Sequence, residues 1–174
     1  MDFLTHLFLP LTVAYVLKRE LFESPAYLLL TGFGLLSDFD KFLGYPGLLH
    51  SLITLVPISL SLVLGEKWLR GELVLSPLIV AFIFSHLLLD FIGGGPVPLL
   101  YPVIDAGVGL QYPIQTAFGE GPFGLAFRGR LVSVRTTTPR TGFNNYGFIK
   151  GFGVASAITF VAMYIGLRRQ DSTA

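Results

Sequence analysis

The chain has 174 residues, of which 52% are hydrophobic and 13% charged, and a mean hydropathy of +0.69. That is too apolar for one soluble core to hide, so the chain reads as an integral membrane protein. A net charge of +1, with no basic stripe or known nucleic-acid motif, gives no reason to expect a nucleic-acid partner, and the absence of cysteine excludes disulfides, thiolate ligands and cysteine nucleophiles.

Taken in chain order, apolar runs fall at about 3 to 17, 26 to 43, 48 to 65, 74 to 92 and 147 to 167. The last three approach the roughly 20 residues that cross a bilayer, whereas the first two are shorter or interrupted by polar residues. The first run lacks a basic leader and a small-residue cleavage site, and is expected to stay as a helix. Short polar stretches separate the runs: KRELFES, GYPG and GEKWLRGE. From Gly93 to about Tyr146 glycine and proline become frequent, and the alternation in FRGRLVSVRTTT predicts a strand or hairpin. The expected fold is therefore an all-α membrane protein, a polytopic helical bundle of about five transmembrane helices. It forms a single membrane domain over residues 1 to 174, with a small irregular or β cap at 93 to 146 between the fourth and fifth helices.

All three histidines, His6, His50 and His86, lie within or beside apolar runs, and Asp38, Asp40 and Asp90 occur in the same surroundings. An isolated carboxylate at a helix centre costs about 2.5 to 3.5 kcal/mol on insertion scales, so such groups are seldom left unpaired. If each run crosses once, His6, Asp38, Asp40, His50, His86 and Asp90 all emerge at one membrane face. His86 and Asp90 are four residues apart, one helical turn on one face. Imidazole plus carboxylate without thiolate suits a divalent ion, zinc first and manganese or iron after it, with room for one or two ions.

Each feature also has a plainer reading. His86 with Asp90 could be a polar pair joining helices, His50 an interfacial residue opening a helix with Ser51 as its cap, and His6 an interfacial histidine. Asp38 and Asp40 could mark a helix end emerging into water, though carboxylates there oppose the helix dipole. Asp2 and Asp105 read as solvated or structural. Arg128, Arg130, Arg135 and Arg140 cluster in the expected cap, where they could hold a phosphate-bearing substrate or headgroup, Arg128 and Arg130 foremost, or face water on a charged hairpin. Gly93-Gly94-Gly95-Pro96 fits an anion nest or a helix exit equally well and is no P-loop.

Thr5-His6, the run from Gly34 to Asp38-Phe39-Asp40, Gly47-Leu48-Leu49-His50-Ser51, and His86-Leu87-Leu88-Leu89-Asp90 with Leu99-Leu100-Tyr101-Pro102 form an ordered set. Over about residues 1 to 105 it resembles the membrane-bound metal-dependent hydrolase family, the LexA-binding, inner-membrane-associated hydrolases. Tyr45-Pro46-Gly47 stands where many relatives carry His-Arg-Gly, Leu49 where threonine is usual, and Ser37 where proline is common. The resemblance implies an inner-membrane protein with a metal centre.

The expected function is hydrolysis of an ester or phosphoester, in an amphipathic or lipid substrate, by metal-activated water. His6, Asp38, Asp40, His50, His86 and Asp90 are the expected ligands, with Asp38, Asp40 and Asp90 in catalysis. Membrane lipid is the expected partner. The alternatives are a metal or proton transporter, and a structural or regulatory protein that recruits a partner. Lys18, Arg19, Lys67, Arg70, Arg168 and Arg169 lie on the face opposite the expected site, which favours a site facing outward.

Overall fold

A computed structural model describes residues 2–41, 45, 47–93, 95–111, 115–117, 124–126, 130–134 and 149–171. Its α-helices are α1 (Phe3–Leu17), α2 (Leu52–Arg70), α3 (Leu75–Gly93) and α4 (Gly151–Asp171). A long 3-10 segment, Pro25–Lys41, stands between α1 and α2, and short 3-10 turns occur at Arg19–Phe22 and Leu48–His50. The expected order of five helical segments, with a β-containing insertion between the fourth and fifth, is observed. By length and composition α2, α3 and Gly151–Gln170 of α4 can cross a membrane, the same three that the sequence singles out. Large apolar side chains stay exposed along them, among them Leu60, Leu64, Leu88, Ile158 and Val161. In water such a surface would be costly, whereas lipid tails solvate it.

The second run differs from an ordinary α-helix. A 3-10 helix has three residues per turn, so side chains three apart eclipse. Gly34, Ser37 and Asp40 are buried and Thr31 is half-buried, which makes one small and polar face at that period. In an α-helix the same residues would drift around the surface. The 17 residues of the 3-10 segment reach about 34 Å at 2.0 Å per residue.

The chain divides into two compact units. The first comprises Met1–Leu36, Ser59–His86 and Thr141–Ala174. Its core is Leu11, Tyr15, Phe22, Leu78, Phe82 and Phe160, with Tyr15 packed against Phe22, Phe160 and Tyr164 at ring separations of 5.3 to 6.0 Å. On α4 the inward residues Gly153, Ser156 and Phe160 recur at helical spacing. Gly34 lies so close to two backbones that a Cβ would stand 3.3 Å from the His6 carbonyl and 3.4 Å from that of Phe82. Pro10, inside α1, has no N–H to give the His6 carbonyl, which would otherwise receive the bond from four residues on. Thr31 Oγ1 donates to the Leu7 carbonyl at 2.9 Å, tying the 3-10 segment to α1.

The turn from α2 to α3 is closed by Glu66. Its Oε1 accepts from Leu75 N at 2.9 Å and Val74 N at 3.3 Å, and its Oε2 from Ser76 N at 2.7 Å and Ser76 Oγ at 2.6 Å. A carboxylate thus satisfies the free N–H groups that open α3, where the helix dipole also favours negative charge.

The second unit comprises Ser37–Ile58 and Leu87–Arg140. Here β1 (Gly107–Gln111) pairs antiparallel with β4 (Arg130–Val134), Gly107 opposite Val134, and β2 (Gln115–Ala117) pairs with β3 (Gly124–Ala126). The strand expected from FRGRLVSVRTTT is therefore present as β4. Ser51 Oγ donates to the carbonyls of Leu99, at 3.2 Å, and Tyr101, and Leu52 N donates to Leu99 O at 2.8 Å. These bonds fix the opening of α2 to the segment after α3.

Candidate metal centre

Asp38 and Asp40 end the 3-10 segment, two residues apart and so on different faces. Asp40 is fully buried, while Asp38 keeps partial exposure. Asp40 Oδ2 accepts from Gly47 N at 2.7 Å and Leu49 N at 3.3 Å, and pairs with His50 Nδ1 at 2.8 Å. Gly47 makes this turn possible: its φ of 104° is one that a side chain would strain, and the resulting backbone aims its N–H at the carboxylate. The other oxygen, Asp40 Oδ1, is buried and meets no hydrogen-bond donor among the described residues. A carboxylate so enclosed needs positive charge close by.

The far side of the His50 ring faces another carboxylate, with Nε2 3.6 Å from Asp90 Oδ2. That is too long for a hydrogen bond. It is close to the roughly 3.4 Å that separates two donors on one tetrahedral ion with bonds of 2.0 to 2.2 Å. Burial alone would disfavour the charged form of His50, but the hydrogen bond to Asp40 and the negative charges of Asp40 and Asp90 outweigh it and raise the pKa from 6.5 to about 9. Without another cation, the two carboxylates therefore hold a proton on His50.

In the first unit, the rings of His6 and His86 stack with centroids 3.9 Å apart and planes 20° apart, and both residues are almost wholly buried. His86 projects from α3, which carries Asp90 one turn later. His6 lies in the first turns of α1, where its N–H donates to the Asp2 carbonyl at 3.3 Å.

Asp2, which the sequence suggests is solvated or structural, is only 3% exposed. It accepts from Thr5 Oγ1 and, at 2.8 Å, from Lys150 N. Burial works against its charge, but these hydrogen bonds prevail and hold its pKa below the ordinary carboxylate value. Nothing in the sequence pairs residue 2 with residue 150. The Gly47 turn and the three-residue period of the second run could have been found from GYPG and from the spacing of Thr31, Gly34, Ser37 and Asp40. Asp105 is exposed, in the irregular segment just before β1. Arg130 opens β4 opposite Gln111, with only its backbone described, and Arg128, Arg135 and Arg140 lie outside the described residues.

Buried histidine and aspartate groups of this chain could thus hold a metal ion. No curated protein and no solved structure matches the sequence. Residues 1–169 do match one family over nearly the whole chain, in agreement with its three membrane-length helices, and the protein belongs to the YdjM inner membrane protein family.

Proposed function

We propose that this inner-membrane protein is a metal-dependent hydrolase that cleaves an ester or phosphoester of an amphipathic substrate such as a lipid. The observation that carries the reading is the relay Asp40, His50, Asp90: a buried carboxylate on Nδ1, and Nε2 held 3.6 Å from a second carboxylate. A carboxylate behind a histidine fixes its tautomer and orientation and makes it a better ligand. Asp40 is the orienting group in this reading, because its Oδ2 is committed to the imidazole and to two backbone N–H groups.

His50 and Asp90 are the first ligands proposed, joined by His86, His6 and Asp38. The reason for joining them is α3, on which His86 and Asp90 are one turn apart. Zinc fits the nitrogen and oxygen donors best, with manganese or iron next. A divalent ion held there would lower the pKa of a bound water far below that of bulk water, towards about 7, and polarise the ester or phosphoester oxygen. A carboxylate left uncoordinated, Asp38 foremost because it retains exposure, would act as general base towards an incoming substrate. The apolar exposed faces of α2, α3 and α4 would keep such a substrate at the lipid boundary.

The proposed orientation has the site outward. In the first unit, basic residues collect at one end: Lys18 and Arg19 after α1, Lys67 and Arg70 in the last turn of α2, and Arg168 and Arg169 in that of α4. Arg168 reaches the Glu23 carbonyl at 3.4 Å and covers the Tyr164 ring at 4.7 Å. Excess lysine and arginine on short segments favours the cytoplasmic side.

The test is metal content by mass spectrometry of detergent-purified protein, beside His86→Ala and Asp38→Ala, followed by a screen of chromogenic phosphoesters and lipid esters. One or two equivalents of a transition metal in the parent, lost in both variants, supports the reading. A parent that is metal-free and takes up neither zinc nor manganese overturns it.

A further inference from the structure

We infer that the C-terminal helix α4 sets the position of His6, acting through Asp2. This rests on the proposed role of His6 in the site, and it assigns to Asp2 and Gly153 a positioning function.

The first turn of α4 contains no acidic residue of its own. Lys150 precedes the helix and its carbonyl takes the first helical bond, from Val154 N at 3.1 Å, so its own N–H is one of the free donors at the helix start. The carboxylate that satisfies it comes from Asp2, 148 residues away. Negative charge there is also favoured by the helix dipole.

The seat is shaped for that carboxylate. A Cβ on Gly153 would overlap Asp2 Oδ2 and would lie 2.8 Å from both Asp2 Cγ and Leu4 Cβ. No residue but glycine fits at this place while Asp2 stays where it is. From Asp2 the connection to the histidine is short and made of backbone: the Asp2 carbonyl receives His6 N–H. The second carboxylate oxygen receives the hydroxyl of Thr5, the residue before His6. On the other side, the His6 carbonyl lies against Gly34. The His6 backbone is thus bonded at its N–H and packed at its carbonyl, and the bond at its N–H is anchored on α4.

The chain contains three histidines, so acylation by diethyl pyrocarbonate, mapped by mass spectrometry, reads each in the same sample. The variants are Gly153→Ala, which puts a methyl in the carboxylate's place, and the milder Asp2→Asn, which keeps one acceptor oxygen. Gly166→Ala is the control, since it adds a methyl on α4 where nothing lies within 4 Å. In metal-free protein, the first two should raise labelling at His6 and at its stacking partner His86 several-fold while leaving His50 at the parent rate. Gly166→Ala should match the parent throughout. Zinc affinity of the first two should fall on the order of ten-fold, the lower end of what loss of a supporting partner costs a metal site.

Labelling that rises equally at all three histidines means general loss of structure and overturns the inference, as does unchanged labelling at His6 in both variants. If the parent takes up no metal, the hydrolase reading fails, yet the labelling pattern still decides the role of Asp2.

Discussion

Asp40→Asn keeps the size of the side chain and removes its charge. In the native protein Asp40 Oδ2 receives two backbone N–H groups and faces His50 Nδ1 at 2.8 Å. An amide oxygen in the place of Oδ2 still accepts from Gly47 N, Leu49 N and His50 Nδ1, but it carries no full negative charge, and the amide nitrogen falls in the buried place of Oδ1. The neutral oxygen holds the Nδ1 proton less firmly and lends less basicity to Nε2, the nitrogen that faces Asp90. The nitrogen proposed to bind metal is thereby made a weaker ligand. Loss of a hydrogen bond to a charged group costs about 1.5 to 3 kcal/mol of stability. Loss of an orienting carboxylate costs a site about 10- to 100-fold in metal affinity, or roughly 1.4 to 2.7 kcal/mol. Calorimetric titration of metal-free parent and variant with zinc, in detergent at one pH, measures the difference. A variant that binds zinc with parental affinity and stoichiometry would refute the view that Asp40 orients His50.

The metal-free protein should lose stability as pH rises. His50 has its pKa raised to about 9, so its contribution is complete below its ordinary 6.5 and disappears as pH passes through about 9. Denaturation at a series of pH values from 6 to 10 reads this, and metal-loaded protein should lack that decline, because an imidazole bound to metal carries no proton on that nitrogen. Gly47→Ala forces a side chain into a φ of 104° and should cost about 1 to 3 kcal/mol, seen as a lower melting temperature and weaker zinc binding together. Glu66→Ala removes the acceptor for three backbone N–H groups and the Ser76 hydroxyl at the start of α3. It should lower the melting temperature more than Glu66→Gln, which retains an acceptor, and a null effect of both would sink the capping role.

Much of the fold is legible in the residues because membrane-spanning segments are selected by length and apolarity, and both are local properties. The last three runs became α2, α3 and α4, and FRGRLVSVRTTT contains a strand. The candidate site was legible for a related reason: ionisable groups stand out where the surroundings are hydrocarbon, and His6, Asp38, Asp40, His50, His86 and Asp90 nearly exhaust them. The 3-10 form of Pro25–Lys41 was less visible. Its period of three was written in Thr31, Gly34, Ser37 and Asp40, but apolarity alone does not separate it from an α-helix.

Composition and spacing by themselves determined that this chain enters a membrane, where its helices run, and which few side chains are candidates for chemistry. Tertiary structure decided how those side chains are partnered. That Asp40 grips His50, that His6 stacks on His86, and that Asp2 seats against Gly153 depend on backbone approaches between residues 10, 80 and 151 positions apart. Hydropathy counts what each segment contributes to burial. Hydrogen-bond partners across such separations are fixed only when the packed backbone leaves one donor within reach of one acceptor.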